Sequence, residues 1–396
     1  MNFEILYIFT TKSKMGILIL VCLLLCVQFS AAQEDEKEKT QKAMSVESTL
    51  LKSKIDTLHP AIKKGSIIPV PIIITEPALG GFGGGLALGY LHSNRKSLRK
   101  DTPPTISGIF GGITANNSWL VGGGHSHSWD NDRIRYLGGL AKGVVNLTFY
   151  DNLIPNREDS SFDVEMDVWG TIQNIAFRIA NSNLFVGPQY TYLSTKNSLD
   201  VNTGHPRLDS LANSVNGRSR LGMLGLLVQY DSRDNTMSPN KGLYAGGTFY
   251  YNATFFGGDT NFFRPLIYAK YYFAVSEAVY GGIRFDGQFT SGDVPFYAKP
   301  FVALRGVPAM RYQGNDALVA ETQWRWQFYK GLSVLGFVGT GKAMDKLSDF
   351  GDQPWIYNYG GGLRYALKQA FGVRVGADVA WSNEDFAWYI SVGSSF

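Results

Sequence analysis

The chain has 396 residues and a formal net charge of +4, which is too small to indicate a nucleic-acid partner. Hydrophobic residues make up 44% and aromatic residues 14%, with 45 glycines. Beyond residue 32, however, no apolar stretch is long and uncharged enough for a transmembrane helix. The composition excludes a helical membrane protein and favours strands with one apolar and one polar face.

Residues 1–32 have the features of a secretory signal peptide. Lys12 and Lys14 precede an apolar run of twelve residues, and the small residues Ser30 and Ala32 occupy the cleavage positions. A spanning helix needs roughly 20 apolar residues, so we expect this segment to be removed rather than kept as an anchor. The protein is therefore predicted to be exported.

Both cysteines of the chain, Cys22 and Cys26, lie inside this predicted signal. The mature chain would then carry no disulfide, no thiol nucleophile and no cysteine metal site. A lipoprotein signal ending at Cys26 is the alternative, and the bulky leucines before that cysteine disfavour it. We expect no cofactor.

Residues 33–66 are charged and poor in aromatic residues, unlike everything after them. This composition predicts a short periplasmic lead-in. A segment of about 34 residues is shorter than the roughly 40 below which a domain needs staples or partners to fold. We therefore expect no periplasmic domain before the barrel, which would occupy residues 67–396.

Alternating polarity between recurrent turn signals predicts an all-β chain from residue 67 onward. The division near residue 142 decides whether the number of strands is even. The sixteen predicted strands are 82–93, 105–116, 118–129, 132–141, 143–151, 165–180, 183–196, 219–232, 241–254, 262–276, 277–291, 317–329, 332–342, 356–367, 371–382 and 386–396.

Charged residues gather on one side of neighbouring predicted strands. Consecutive side chains of a strand point to opposite faces, so Glu321 and Arg325 share one face of 317–329 while tryptophans occupy the other. Asp286 and Asp378 likewise lie on the polar faces of the predicted strands 277–291 and 371–382. The pattern predicts a polar lumen and an aromatic outer wall.

A soluble β-sandwich would show the same alternation, so further features have to decide between the two. The apolar face is rich in aromatic residues, as at membrane interfaces, and the last residue, Phe396, ends a strand. Turns also alternate in length, with short turns at 116–117 and 276–277 and long ones at 94–104, 197–218 and 293–316. These features predict a transmembrane antiparallel β-barrel in the outer membrane of a Gram-negative bacterium.

The closing strand also has a pattern that bears on how the barrel is assembled. It resembles the C-terminal signal by which barrel proteins reach their assembly machinery, through Trp388, Ile390, Val392 and Phe396 on one face. A final amphipathic strand with an aromatic girdle has the same pattern, and both interpretations can hold together. The predicted partners are barrel assembly machinery during biogenesis and outer-membrane lipid, both phospholipid and lipopolysaccharide.

Three segments in order resemble one family, the BamA/TamA-type outer-membrane assembly barrels, also called the bacterial surface antigen domain. Residues 226–249 resemble its D-x-R-D strand end and following turn, here Asp231, Arg233 and Asp234. Residues 301–326 resemble its inward-folded loop with an R-G motif, and 360–381 its last strands. The resemblance covers most of 66–396.

The R-G motif is Arg305 and Gly306, and its requirements follow from physical chemistry. An arginine on a loop folded into the lumen needs carboxylates, because a buried unpaired guanidinium is costly. The candidate partners are Glu321, Asp286 and Asp378, which can accept paired hydrogen bonds. We hypothesise that Arg305 latches the loop to the inner wall. A solvated arginine in an extracellular loop is the alternative.

The chain departs from the family pattern in two places. The family commonly has an aspartate in the strand after the loop, where this chain has Gly339. Residues 33–66 also cannot hold a periplasmic polypeptide-transport-associated (POTRA) domain, so the chain is identified as a member lacking these domains.

Other candidate sites are weak. His125 and His127 share a strand face, but without a third ligand nearby they are interpreted as polar rim residues. The glycine-rich residues 80–90 form a predicted strand with no helix behind it to cradle a phosphate. No G-x-S-x-G motif is present. We predict that the protein is not an enzyme, with an outer-membrane hydrolase as a remote alternative.

The resemblance implies a barrel that opens at a weakly paired seam. It would assist the insertion of outer-membrane proteins, or the translocation of polypeptides or lipids, with unfolded outer-membrane proteins as partners. Exposed hydrogen-bonding groups of an edge strand would then template an incoming strand. The main alternative is a passive pore or structural barrel without insertase activity.

Overall fold

The structure is a computed structural model that describes residues 66–92, 105–151, 160–199, 216–235, 238–366, 374–383 and 385–392. No helix in these ranges is long and apolar enough to cross a membrane. The predicted signal peptide and nearly all of the predicted lead-in lie outside the described residues, as does Phe396.

The described residues fold into β-strands joined by turns and four short 3-10 turns, Pro77–Leu79, Thr254–Phe256, Phe296–Ala298 and Leu347–Gly351. Strand β12 has only two residues and continues β11 along the edge of β10. The strands are β1 (Ser66–Ile74), β2 (Gly83–Leu91), β3 (Ile106–Thr114), β4 (Trp119–Trp129), β5 (Ile134–Asp151), β6 (Ser160–Arg178), β7 (Leu184–Ser198), β8 (Gly217–Asp231), β9 (Gly242–Asn252), β10 (Phe262–Ala274), β11 (Val279–Phe289), β12 (Ser291–Gly292), β13 (Asp316–Tyr329), β14 (Leu332–Met344), β15 (Ile356–Ala366), β16 (Arg374–Ser382) and β17 (Phe386–Val392).

Antiparallel ladders join each barrel strand to the next in chain order, from β1 through to β17. With β11 and β12 counted as one, sixteen strands form a nearly closed barrel. The predicted fold class is therefore confirmed. No ladder joins β1 to β17 within the ranges that the structure describes, and we call this junction the seam.

The strand count of sixteen is correct because two errors in the predicted strands cancel. The split between 132–141 and 143–151 is wrong, since β5 runs without interruption from Ile134 to Asp151 and pairs with β6 throughout. Strand β1, at Ser66–Ile74, was not among the predicted strands. Its sequence SIIPVPIII has no alternation and contains two prolines, which hide a strand from pattern analysis.

Removing the false split moves the connection between β2 and β3 to the other end of the barrel from the two remaining long turns. Strand β1 begins and β17 ends at the same end, where most connections are short, as at 130–133, 179–183 and 330–331. Short turns mark the periplasmic end of an outer-membrane barrel. The connection from β2 to β3 lies at this end, so the predicted grouping of 94–104 with 197–218 and 293–316 is wrong.

The outer wall is apolar and aromatic, as predicted, but the inner wall has two different halves. Toward the extracellular end, the inward side chains of β5 and β6 are buried and apolar, including Val145, Val164 and Met166. Inward side chains from β10 onward include the fully buried Lys270 and Arg284. The predicted polar lumen is therefore most pronounced in the second half of the barrel, while the first half mixes apolar residues with uncharged polar ones such as Gln189 and Thr195.

Strands β5 and β6 have 18 and 19 residues, whereas about 9–11 residues suffice to cross the lipid. Their extra length lies beyond β4 at the extracellular end. There the outward side chains of β6 are the exposed carboxylates Asp163, Glu165 and Asp167. The projecting hairpin presents its apolar inner face to the hydrophobic core that also contains Tyr297 and Phe301.

Candidate functional site: an inward loop at the seam

The connection between β12 and β13, residues 293–315, folds into the barrel from the extracellular end. We call it the inward loop. Phe301 and Gln313 form a β-bridge that narrows its base. Side chains along it are buried, and Phe301, Leu304 and Arg305 are each 0% exposed. The loop therefore forms part of the interior of the protein.

The tip of the loop places Arg305 among acceptors from β13 and β16. Its guanidinium bonds to Glu321, donates 3.1 Å to Gln323 Oε1 and lies 3.5 Å from Asp378 Oδ2. The same group stacks over the Phe337 ring, with its carbon 3.3 Å from the ring centroid. The Arg305 guanidinium is buried away from solvent, where charge-assisted hydrogen bonds are strong and an unpaired charge is costly.

A second arginine completes the cluster. Arg364 of β15 donates to both carboxylate oxygens of Asp378, at 2.5 and 2.7 Å. Two buried arginines thus face two buried carboxylates, and the four charges balance. Asn358 also connects the parts, since its Nδ2 donates 2.9 Å to the backbone oxygen of Arg305 and 3.3 Å to Glu321 Oε2.

Gly339, where the family commonly has an acid, lies directly beneath the loop. A Cβ atom built there would be 2.6 Å from Asn358 Oδ1 and 2.9 Å from Leu304 Cδ2. Any side chain at this position would displace the loop or Asn358. In this chain a close backbone approach takes the place of the missing acid, and the carboxylates that meet Arg305 come from β13 and β16.

The next residue, Gly306, connects the loop to the last two barrel strands. Its φ of +83° lies in the left-handed region that favours glycine. Its backbone N–H donates 2.8 Å to the hydroxyl of Tyr389 in β17, and its carbonyl accepts 3.0 Å from Ser382 Oγ in β16. Arg311 adds an ion pair of 2.7 Å to Asp385 in the turn between these strands.

Three residues further along, the loop reaches the other side of the seam. The backbone N–H of Ala309 donates 3.1 Å to Oε1 of Glu76, in the turn between β1 and β2. Glu76 is buried, at 1% exposure. Because Gly306 and Ala309 are at most about 10 Å of chain apart, one short segment is hydrogen-bonded to both sides of the seam.

The structure places the predicted lumen residues on the inner wall but divides them between sites. Glu321 and Asp378 contact Arg305, as described above. Asp286 forms an ion pair of 3.0 Å with Arg284, whose Nη2 donates 2.6 Å to the loop carbonyl of Ala303. Arg325 donates 2.5 Å to Asn240 and lies over the Tyr280 ring, near the periplasmic end.

The D-x-R-D motif forms a turn, residues 232–241, at the periplasmic end. Arg233 donates to both oxygens of Asp231, at 2.8 and 2.7 Å, while Asp234 Oδ1 accepts two backbone N–H groups of the turn. Through Asn240 and Ser238 the turn contacts Arg325 of β13 and Arg374 of β16. It therefore reaches across the mouth of the barrel.

The remaining predicted residues lie on the outer wall. Trp388 and Ile390 point outward from β17, and Val392 is the last residue of that strand. His125 and His127 are on the outward face of β4, where their Nδ1 atoms share hydrogen bonds with the hydroxyls of Ser107 and Thr105. Within the described ranges no group of three metal-ligating side chains is placed to hold an ion.

Sequence reasoning missed the residues that anchor the loop at the seam. Tyr389 alternates with the outward Trp388 and Ile390 and gave no signal of a role, and Glu76 follows β1, the strand that the sequence pattern did not predict. Asn358 and Arg364 gave no local signal. Their shared property is burial of a polar group on the inward face, which can be recognised only once the strand register is known.

Comparison with known proteins found one matching family model and several solved structures of similar fold. The Omp85 superfamily domain matches residues 144–302. No curated protein matches the sequence. Among solved structures, BamA from Haemophilus ducreyi lacking POTRA domains 1-3 is 13% identical, with a TM-score of 0.55 over 83% of this chain and 70% of that one.

Two further structures have the same fold. CdiB from Escherichia coli is 11% identical, with a TM-score of 0.56, and CdiB from Acinetobacter baumannii is 10% identical, with a TM-score of 0.53. Each match covers 83% of this chain. The chain spans 62% and 59% of those two proteins, so their activities and partners are considered only as proposals.

The fold and its relatives define an integral β-barrel protein of the Gram-negative outer membrane. Residues 144–302 match the Omp85 superfamily domain and the chain has the barrel fold of BamA and CdiB, which confirms the resemblance predicted from three short segments.

Proposed function

We propose that the barrel opens at the seam, toward lipid, and assists the insertion of outer-membrane proteins or the passage of polypeptides or lipids. One observation carries the proposal: the inward loop is hydrogen-bonded to both sides of a junction at which the described strands have no ladder. Elsewhere each barrel strand has a ladder on both edges. The seam is therefore the junction that opens at the smallest cost in hydrogen bonds.

The physical basis is the cost of bare strand edges in lipid. Unpaired backbone N–H and C=O groups in hydrocarbon cost several kcal/mol each, so an open edge favours pairing with another strand. An unfolded barrel protein supplies such strands, and pairing with the edge satisfies its own backbone groups as well. No covalent chemistry is required.

The main rival, a passive pore, fits the interior less well. Side chains of the inward loop pack into the same buried cluster as the inner faces of β5 and β6. A permanent aqueous channel would need this volume to be free. The rival predicts steady conductance in planar bilayers, which the packed interior argues against.

A folding assay with a locked seam tests the proposal. Cysteines at Ile73 of β1 and Trp388 of β17, both outward-facing, are joined by a short bis-maleimide linker in the purified protein. Liposomes containing the unmodified protein should accelerate the folding of an unfolded outer-membrane barrel several-fold, and the linked variant should not. The matched control links Val379 to Trp388, which are register partners within the β16–β17 ladder, and leaves the seam free.

Two results would contradict the proposal: folding that is equally fast with and without the protein, or acceleration that survives the seam lock. In cells, depletion followed by outer-membrane proteomics gives an independent test. A broad loss of barrel proteins is expected. An unchanged profile would count against a role in assembly.

A further inference from the structure

The seam edge of β1 contains two prolines, Pro69 and Pro71. Strand β1 pairs with β2 without interruption over Ser66–Ile74, including both prolines, which lie opposite Leu88 and Leu86. A proline has no N–H to donate. A regular antiparallel ladder can pass through two prolines only if their nitrogen atoms point away from the partner strand.

Prolines in the interior strands support this reasoning. Pro188 of β7 is paired with Leu226 of β8, but the ladder to β6 is interrupted between Gln189 and Val186. Pro265 of β10 is paired with Phe249 of β9, while the ladder to β11 starts only at Leu266. At each interior proline, one of the two ladders is broken.

In β1 no ladder is broken by the prolines, so the missing donors must face the seam. Alternate residues of an antiparallel strand direct their backbone groups to the same edge. The backbone groups that face the seam therefore belong to Ile67, Pro69, Pro71 and Ile73. Two of these four residues are prolines and have no N–H to donate. Strand β17, Phe386–Val392, contains no proline and keeps a complete set of donors and acceptors.

We infer that β17, and not β1, is the edge that accepts a partner at the seam, and that the partner is an extended strand of an unfolded outer-membrane protein. This inference rests on the proposed function. A strand is the occupant that the chemistry favours, because Trp388 and Ile390 face outward at the level of lipid, where only another backbone satisfies a whole row of N–H and C=O groups.

The blocked edge of β1 also explains the anchoring of the inward loop. A β1–β17 ladder through the prolines would lack two donors, so backbone pairing alone closes the seam weakly. The bonds of the loop to Tyr389 and Glu76 supply side-chain anchors in its place. The same proline edge discourages β1 from pairing with foreign strands, a known protection of edge strands.

Site-specific photo-crosslinking tests the inference. A photoreactive benzoylphenylalanine replaces Ile390 of β17 or Ile73 of β1, which are similarly exposed at 40% and 37%. The probe is a synthetic peptide with the sequence of residues 380–396, which has the alternating pattern of a terminal barrel strand. We expect labelling at position 390 to exceed that at position 73 by at least about tenfold.

Restoring the donors of β1 provides the decisive variant. In the double substitution Pro69→Val with Pro71→Val, the ratio of labelling at 390 to that at 73 should fall at least about fivefold, because β1 becomes able to pair. Pro188→Val is the matched control, since it replaces a proline far from the seam, and the ratio should not change.

Each result decides a different point. Preferential labelling at position 73, or a ratio unchanged by the double substitution, overturns the assignment of the edge but leaves the proposed function standing. Labelling at neither strand, with bound peptide absent, overturns both. A covalent dimer formed without peptide would assign the β17 edge to a second copy of this chain and would also overturn the inference.

Discussion

At the scale of single residues, the balance of buried charge governs the site. Arg305 and Arg364 are buried against Glu321 and Asp378, and none of the four side chains is more than 2% exposed. A buried ion pair contributes little net stability compared with an apolar pair, but removing one partner leaves a charge in a medium that solvates it poorly. Replacing any one of these four residues with an uncharged one therefore leaves a buried charge without its balancing partner.

Glu321→Gln is expected to destabilise the protein by about 3–5 kcal/mol, because two buried arginines are then left with one carboxylate. The measurement is the free energy of unfolding in urea, with the protein in detergent micelles. Glu165→Gln makes the same chemical change at an exposed position of β6 and should cost less than about 0.5 kcal/mol. Equal effects of the two substitutions would show that Glu321 is not coupled to Arg305.

How much of this cluster the sequence can predict depends on the kind of signal each residue gives. Arg305 stands beside a glycine in a long loop, and Glu321 and Asp378 alternate with apolar residues, so a need for carboxylates on a shared face is enough to connect them. Asn358 and Tyr389 offer no comparable signal. Their roles depend on the distance between strands that are far apart in the sequence.

At the scale of elements, the inward loop contains two residues with a left-handed backbone, which glycine adopts readily and a residue with a side chain adopts only at a cost. Gly306 has a φ of +83°, and a Cβ atom there would lie 3.1 to 3.2 Å from backbone and side-chain atoms of Ala380. Met310, a buried residue with a side chain, also has a positive φ of 64°. The anchors on both sides of the seam outweigh this local cost.

Gly306→Ala should therefore release the tip of the loop. We expect a loss of about 2–4 kcal/mol in the free energy of unfolding, from left-handed backbone strain together with crowding against β16. Gly331→Ala is the matched control, because Gly331 has a similar φ of +80° but its nearest neighbouring atom is 3.6 Å away. It should cost only about 1–2 kcal/mol.

Limited proteolysis of the folded protein adds a second readout for the same pair of variants. Cleavage within 293–315 should increase in the Gly306→Ala variant and stay at the wild-type level in the Gly331→Ala variant. If both glycine variants have the same stability and the same cleavage pattern, the contact between Gly306 and β16 does not hold the loop.

The strands show where pattern analysis succeeds and fails. Strand β13 alternates strictly, and its predicted bounds differ from the observed ones by a single residue at the start. Strand β5 contains Gly138, Gly139 and Gly143, which resemble a turn in the sequence but lie within a continuous ladder. Strand β1 lacks alternation because both of its faces are apolar, and its two prolines leave the ladder to β2 unbroken because the opposite edge has no ladder partner.

At the scale of the whole molecule, a barrel of this size has to be filled in order to be closed. Barrels of 16–18 strands can leave an aqueous channel. Here the inward loop packs against the apolar inner faces of the first half, while the turn 232–241 crosses the periplasmic mouth. Both of these segments are connections between strands, and they obstruct the interior and the periplasmic mouth of the barrel.

Replacing residues 297–312 with a short Gly-Ser linker is therefore expected to open a pathway for ions. In planar bilayers the wild-type protein should show little steady conductance, and the variant should show frequent open steps. The control replaces Leu347–Gly351, a 3-10 turn at the extracellular end with no buried residue, and should behave like the wild type. Steady conductance of the wild type, equal to that of the loop variant, would favour the passive pore instead. That result would also mean that the packing of the loop does not close the barrel. It would contradict the proposal that the barrel opens toward lipid at the seam.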